Sequence, residues 1–191
     1  MGARNERSIA LKAMIVCVSV SHGNTKKVAD VMGRALEAPV VAPEEVDVAE
    51  LSTYDLVGFG SGVYTTALHP RLRELVQSLP KGERRAAFVY ATSGFRETPL
   101  QPFTRPLVRL LAQRNFDVVG TFSCRAWDTW GPFRSVGGIR KGRPDAADLE
   151  AARAFAAGLP ARIDARPPLS DGLPFLYSGC RSERRAGARR R

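Results

Sequence analysis

From Met14 onward, short runs of aliphatic and β-branched residues alternate with longer segments whose apolar residues recur every three or four positions. Met14-Ile15-Val16-Cys17-Val18 opens the series, and its near-continuous apolar character predicts a strand buried on both faces over 14–19. Further strands are predicted over 40–42, 55–60, 86–91 and 116–122. The intervening helices are predicted over 25–37, 69–79, 103–114 and 145–159. The first carries Val28, Val31, Met32, Ala35 and Leu36 on one face, with Asn24 or Thr25 as N-cap and Pro39 past its end. The third is kinked or begun at Pro106. Strands separated by helices of this length require right-handed crossovers and a parallel sheet covered on both faces. The expected fold class is α/β, a doubly wound three-layer sandwich with five strands.

In such sheets ligands bind beyond the carboxyl ends of the strands, where the strand order reverses. The informative segments are therefore the loops expected at 20–25, 61–68, 92–100 and 123–144. The first reads Ser19-Val20-Ser21-His22-Gly23-Asn24-Thr25-Lys26-Lys27. Small hydroxyl residues around a glycine are poor core material, yet they surround an anion with donors. Backbone N–H groups at a helix start carry about half a positive charge and point into the turn. Gly23 lets the backbone curl close, and Ser21, Asn24 and Thr25 can each add a donor. Gly60-Ser61-Gly62-Val63-Tyr64 and Thr92-Ser93-Gly94 repeat the small polar pattern after the third and fourth strands. A flat, polar-edged ligand could enter edgewise there, with Tyr64 and Trp127 as candidates to cover its faces.

Several other chemistries lack their residues. No G-x-x-x-x-G-K-[ST] stretch exists, so a nucleoside triphosphate loop is excluded. Gly58-Phe59-Gly60-Ser61-Gly62 lacks the spacing of a dinucleotide fingerprint and is not a G-x-S-x-G elbow. A phospho-accepting receiver needs an aspartate at the end of its third strand, where this chain has Gly60-Ser61. The two histidines, His22 and His69, have no metal-ligand spacing, and no Ser-His-Asp set is legible.

These residues resemble the flavodoxin family of small FMN-binding proteins. The resemblance rests on Ser21–Thr25, on Tyr54 to Tyr64, and on Thr92-Ser93-Gly94. It continues through Phe122-Ser123-Cys124, Trp127-Asp128-Thr129-Trp130-Gly131-Pro132 and Gly137-Gly138-Ile139-Arg140-Lys141-Gly142-Arg143-Pro144, so that it covers residues 14–159. It implies a sheet of order 2-1-3-4-5 holding one FMN. Ser21, His22, Gly23, Asn24 and Thr25 would take the phosphate. Gly60, Ser61, Gly62, Val63 and Tyr64, with Thr92, Ser93, Gly94 and Phe95, would flank the isoalloxazine, and Trp127 would stack on it. A low-cost backbone flip at Gly62 would offer a carbonyl to the flavin. The implied activity is electron transfer or a small FMN-dependent oxidoreduction, with a redox partner protein or a small-molecule acceptor. The alternative is a cofactor-free binding or regulatory module on the same scaffold. The chain departs from the family in placing His22 before Gly23, where Thr is usual.

The net charge of +10 lies mostly at the two ends. Residues 161–191 hold eight arginines against three acids, and residues 1–12 hold three basic residues against one acid. The expected organisation is a basic N-terminus over 1–12, a flavin-binding domain over 13–160, and an Arg-rich disordered tail over 161–191. Such a tail reads as solvated, with no specific nucleic-acid partner. Arg125, Arg134, Arg140, Lys141 and Arg143 would form a basic rim on the last loop. No apolar run approaches the roughly 18 residues that span a bilayer. With no secretory signal and three cysteines in no disulfide pattern, the expected location is cytoplasmic. Cys124 reads as an inert buried thiol.

Overall fold

Every residue of β1, Ala13–Val18, is buried, as its unbroken apolar run requires for a strand covered on both faces. The computed structural model describes residues 11–64, 66–98, 100–129 and 138–165. The other strands are β2 (Val40–Val41), β3 (Leu56–Tyr64), β4 (Ala67–Leu68), β5 (Arg85–Ser93) and β6 (Phe116–Arg125). Five run parallel in the order β2-β1-β3-β5-β6. The two-residue β4 stands off this path and pairs antiparallel with the end of β3, so the main order is the expected 2-1-3-4-5. The helices are α1 (Asn24–Leu36), α2 (Val48–Leu51), α3 (Pro70–Ser78), α4 (Arg105–Gln113), α5 (Ala146–Ala157) and α6 (Leu159–Asp164). Pro106 lies in the first turn of α4, so it begins that helix and does not kink it. The closing helix expected over 145–159 divides at Gly158 into α5 and α6, and α6 continues past residue 160.

Strand side chains alternate between two cores. Val16, Val57, Phe59 and Val89 pack with Leu72 and Val76 of α3 and Leu107 and Leu111 of α4. Ile15, Leu56, Phe88 and Tyr90 pack with Val28 and Met32 of α1 and with Ala152, Ala156 and Leu159 at the C-terminal end. The second core explains Gly58 and Gly60. Each is paired in register with a ring of β5, Gly58 with Phe88 and Gly60 with Tyr90. A β-carbon on Gly58 would lie 2.3 Å from the Phe88 ring, and one on Gly60 would lie 2.1 Å from the Tyr90 ring. The two glycines are slots that let fully buried aromatic side chains lie across a neighbouring strand.

The strands β3, β5 and β6 run further than their apolar character. Ser61 pairs with Ala91, Gly62 with Thr92, and Ser93 with Arg125, so residues expected in open loops continue the ladder. A ladder bonds through the backbone and persists wherever each peptide finds a partner, whatever the side chain. Within the segment expected as a loop at 61–68, residues 61–64 therefore end β3 and residues 67–68 form β4.

α3 begins at an unusual cap. His69 Nδ1 accepts from the N–H of Arg71 at 3.2 Å, which only an unprotonated nitrogen can do. Partial burial, with the Arg71 charge behind it, holds the His69 pKa below its ordinary value. The unfolded chain thus binds a proton more readily than the fold, and this contribution to stability, present above about pH 6.5, is lost as pH falls through the depressed pKa. Removing an N-cap costs about 1 kcal/mol, or roughly 2–4 °C in Tm for a chain of this size. Thermal melts between pH 7.5 and 5 are expected to show a fall of that order, and His69→Asn, which keeps a cap that does not titrate, is expected to reduce it. An unchanged pH profile in the variant would contradict the cap.

Candidate functional site

The turn between β1 and α1 holds two consecutive left-handed residues, His22 at φ 55° and Gly23 at φ 67°. Gly23 occupies the N-cap position and has no side chain to cap the helix, while Ser19 Oγ accepts from the Lys26 N–H in the first turn at 3.3 Å. Asn24 and Thr25, expected as caps, instead lie within the first turn and are buried. The left-handed pair turns the chain so sharply that their side chains point across the strand ends. Asn24 Nδ2 donates to the Trp127 carbonyl at 2.8 Å, and the Thr25 hydroxyl bonds the Thr92 hydroxyl at 2.8 Å. A β-carbon on Gly23 would meet no atom within 4 Å, so the mouth of the turn is open space.

These side chains close one wall of a small pocket of about 40 Å³. Gly62, Val63 and Tyr64 from β3, Thr92 and Ser93 from β5 with Gly94 just after it, and Ala126, Trp127 and Asp128 after β6 supply the rest. The site thus unites residues separated by more than a hundred positions at the carboxyl ends of neighbouring parallel strands, where the topology places a ligand. Burial raises the Tyr64 pKa, against a smaller lowering by the neighbouring Ser21 hydroxyl. Tyr64 therefore stays a neutral hydroxyl. His22 stacks on Trp127 with ring centroids 3.9 Å apart, and its Nε2 bonds the Thr129 hydroxyl at 2.9 Å. Lys141 Nζ lies 6.0 Å from the centre of the Trp127 ring.

Of the residues expected at the site, Ser21, Asn24, Thr25, Gly62, Val63, Tyr64, Thr92, Ser93, Gly94 and Trp127 line this pocket. His22 and Gly23 form the turn at its rim. Three are placed elsewhere. Gly60 is the slot for Tyr90. Ser61 is fully buried, donating to the Gly62 carbonyl at 2.7 Å and accepting from the His69 N–H at 2.9 Å. Phe95 points to a neighbouring hollow. The expected easy flip at Gly62 also meets resistance, because Gly62 is in the β3–β5 ladder and its carbonyl is already hydrogen-bonded. Ala126, Asp128 and Thr129 were absent from the expected set. Only the lengths of the flanking strands reveal that Ala126 and Asp128 line the pocket and that Thr129 meets His22 at its rim. Trp130 and Arg134 lie outside the described residues.

The donors fit a phosphate monoester. Among the described residues that line the pocket there is no lysine or arginine, and Asp128 adds a carboxylate, so an anion there would be held at the α1 end by the Ser21 hydroxyl and by the N–H groups at the helix start. The ring end is tighter. A space of about 40 Å³ holds little more than one water molecule. A tricyclic ring needs the His22–Trp127 stack to part, a rotation of exposed or half-buried side chains that leaves the strands in place.

Comparisons with known proteins agree with this architecture. Residues 15–122 match the family model described as a flavodoxin domain. The uncharacterized protein MJ0298 of Methanocaldococcus jannaschii is 32% identical over 146 residues, covering 76% of this chain and 96% of that protein. Among solved structures, a flavodoxin from the domain Archaea superposes with a TM-score of 0.59 at 16% identity, covering 80% of this chain and 99% of that one. Flavodoxin 2 from Bacillus cereus superposes with a TM-score of 0.58 at 18% identity, covering 79% of this chain and 99% of that one. With the matched segment running from β1 into β6 and taking in the turn between β1 and α1, the chain belongs to the flavodoxin domain family.

Proposed function

We propose that the protein binds FMN at this pocket and works in electron transfer, as a carrier or as a small FMN-dependent oxidoreductase. One observation carries the reading: the start of α1, with Ser21, Asn24 and Thr25, opens into the same pocket as Gly62, Tyr64, Gly94 and Trp127. That arrangement sets anion donors at one end and small or aromatic residues at the other. FMN, when bound, supplies the one- and two-electron chemistry.

The chain's own residues have separable tasks. The α1 N–H groups, Ser21 and the open turn at Gly23 hold the phosphate. Asn24 ties the turn to the Trp127 backbone, and Thr25 ties it to Thr92 on β5, so the phosphate end and the ring end move as one body. Tyr64 and Trp127 shield the ring from water, and Tyr64 does so without adding charge. Gly62 and Gly94 make way for two other pocket residues, Tyr64 and Asp128. A β-carbon on Gly94 would stand 2.7 Å from that of Asp128, so larger residues are excluded there.

The test is a visible spectrum of the protein as purified, with mass identification of any cofactor released by denaturation. Flavin absorbance and the mass of FMN are the expected results, and a colourless protein that gains no flavin signal on adding FMN would overturn the proposal. NAD(P)H consumption with and without a quinone then separates an oxidoreductase from a carrier.

A further inference from the structure

Gly62, Val63 and Tyr64 form one wall of the pocket, and the support of that wall lies across a hairpin. β4 returns antiparallel to the end of β3, pairing Leu68 with Val63 and Ala67 with Tyr64. The hairpin thus delivers the next residue, His69, beside the residues that end β3. His69 is also the N-cap of α3.

Three contacts meet at this one residue. Its backbone N–H donates to the Ser61 hydroxyl at 2.9 Å, and that fully buried hydroxyl donates to the Gly62 carbonyl at 2.7 Å. Its ring stands perpendicular to the Tyr64 ring, with centroids 5.0 Å apart and an interplanar angle of 89°. Its Nδ1 accepts from the Arg71 N–H at 3.2 Å. The cap bond fixes the orientation of the imidazole, and that orientation sets how it meets Tyr64.

A proton on Nδ1 turns the acceptor into a donor that faces another donor. It also sets a cation at a helix start, where the free N–H groups already carry positive charge, with Arg71 beside it. Glu44 and Glu74 favour the proton, but Glu44 is engaged by Arg71 through its Nε at 2.7 Å. Tyr64 offers no counter-charge, because burial keeps its phenol neutral. The protonated ring is therefore driven out of the cap, and its contact with Tyr64 goes with it.

We propose that His69 is a positioning residue for the pocket, holding Tyr64 in place while its Nδ1 carries no proton and releasing it on protonation. The coupling stands on contacts within the chain. Its consequence for a ligand rests on the flavin reading of the pocket.

Riboflavin is the probe for that consequence, because the phosphate of FMN itself titrates near pH 6. The full chain is titrated into riboflavin at pH 7.5 and at pH 5, with flavin fluorescence as the readout and circular dichroism as the check on folding. Wild type is expected to bind at least threefold more weakly at pH 5. His69→Asn keeps a cap that does not titrate and has no ring to set against Tyr64, so it is expected to bind with one weakened affinity at both pH values. The protein without ligand supplies a second readout. The chain has only two histidines, so the variant assigns the His69 imidazole resonances by NMR. The Tyr64 ring resonances are expected to move with the same midpoint, below the ordinary histidine value of about 6.5. Riboflavin affinity equal at the two pH values in wild type, a pH dependence that His69→Asn retains, or Tyr64 resonances that ignore the His69 titration would overturn the proposal. A Tyr64 response in a protein that binds neither riboflavin nor FMN keeps the coupling and loses the flavin reading.

Discussion

Gly60→Ala is expected to destabilise the fold by about 3 kcal/mol, the upper range for inserting a carbon into a packed core. The added β-carbon would stand 2.1–2.3 Å from three atoms of the Tyr90 ring, a distance no real contact tolerates. Tyr90 is fully buried, its hydroxyl bonds the Val16 carbonyl at 3.3 Å, and its strand lies inside the sheet, so the ring has nowhere to go. Urea unfolding of wild type and variant checks the value, with a lower midpoint at unchanged slope as the expected form. The double change Gly60→Ala/Tyr90→Leu is expected to recover part of the loss, because removing the ring empties the slot. If Gly60→Ala cost as much in a Tyr90→Leu background as in the wild-type chain, the slot would not be the cause.

The second large effect concerns the anion end of the pocket. Ser21→Asp places a carboxylate on the exposed turn where the phosphate is proposed to sit. Two like unit charges about 4 Å apart repel by about 4 kcal/mol near a protein surface, and solvent screening lowers this. A loss of roughly 3 kcal/mol corresponds to about a hundredfold weaker FMN binding. Riboflavin has the same ring and no phosphate, so its affinity is expected to change little. Fluorescence titration of both ligands against both proteins checks this. Equal weakening of the two would mean that Ser21 acts through Tyr64 and the ring end instead of through the phosphate.

The layered architecture was legible because buried parallel strands and amphipathic helices each leave a pattern confined to their own segment. The alternation before and after α1 and α3 needs no knowledge of the partner strand. The turn at Ser21 to Thr25 was legible for the same reason, since a glycine among small polar residues ahead of a helix is local information. Gly60 was not, because the residue that explains it is Tyr90, thirty positions away on another strand. A glycine after an apolar run suggests a ligand loop until the register between β3 and β5 is known. The strand ends at Ser61, Thr92 and Ser93 were hidden because hydropathy falls there while the backbone ladder continues. His22 shows the limit most clearly. Its place against Trp127 joins residues 105 positions apart, through a contact that no spacing rule contains.

The account depends on a phosphate being held where β1 gives way to α1. Measuring the dissociation constants of FMN and riboflavin side by side on the unmodified protein tests it most directly. The expected result is FMN binding at micromolar concentration or below, with riboflavin at least about a hundredfold weaker, the difference made by one anion at a helix start and its hydroxyl donors. Riboflavin binding as tightly as FMN, or no binding of FMN at micromolar levels, would contradict it.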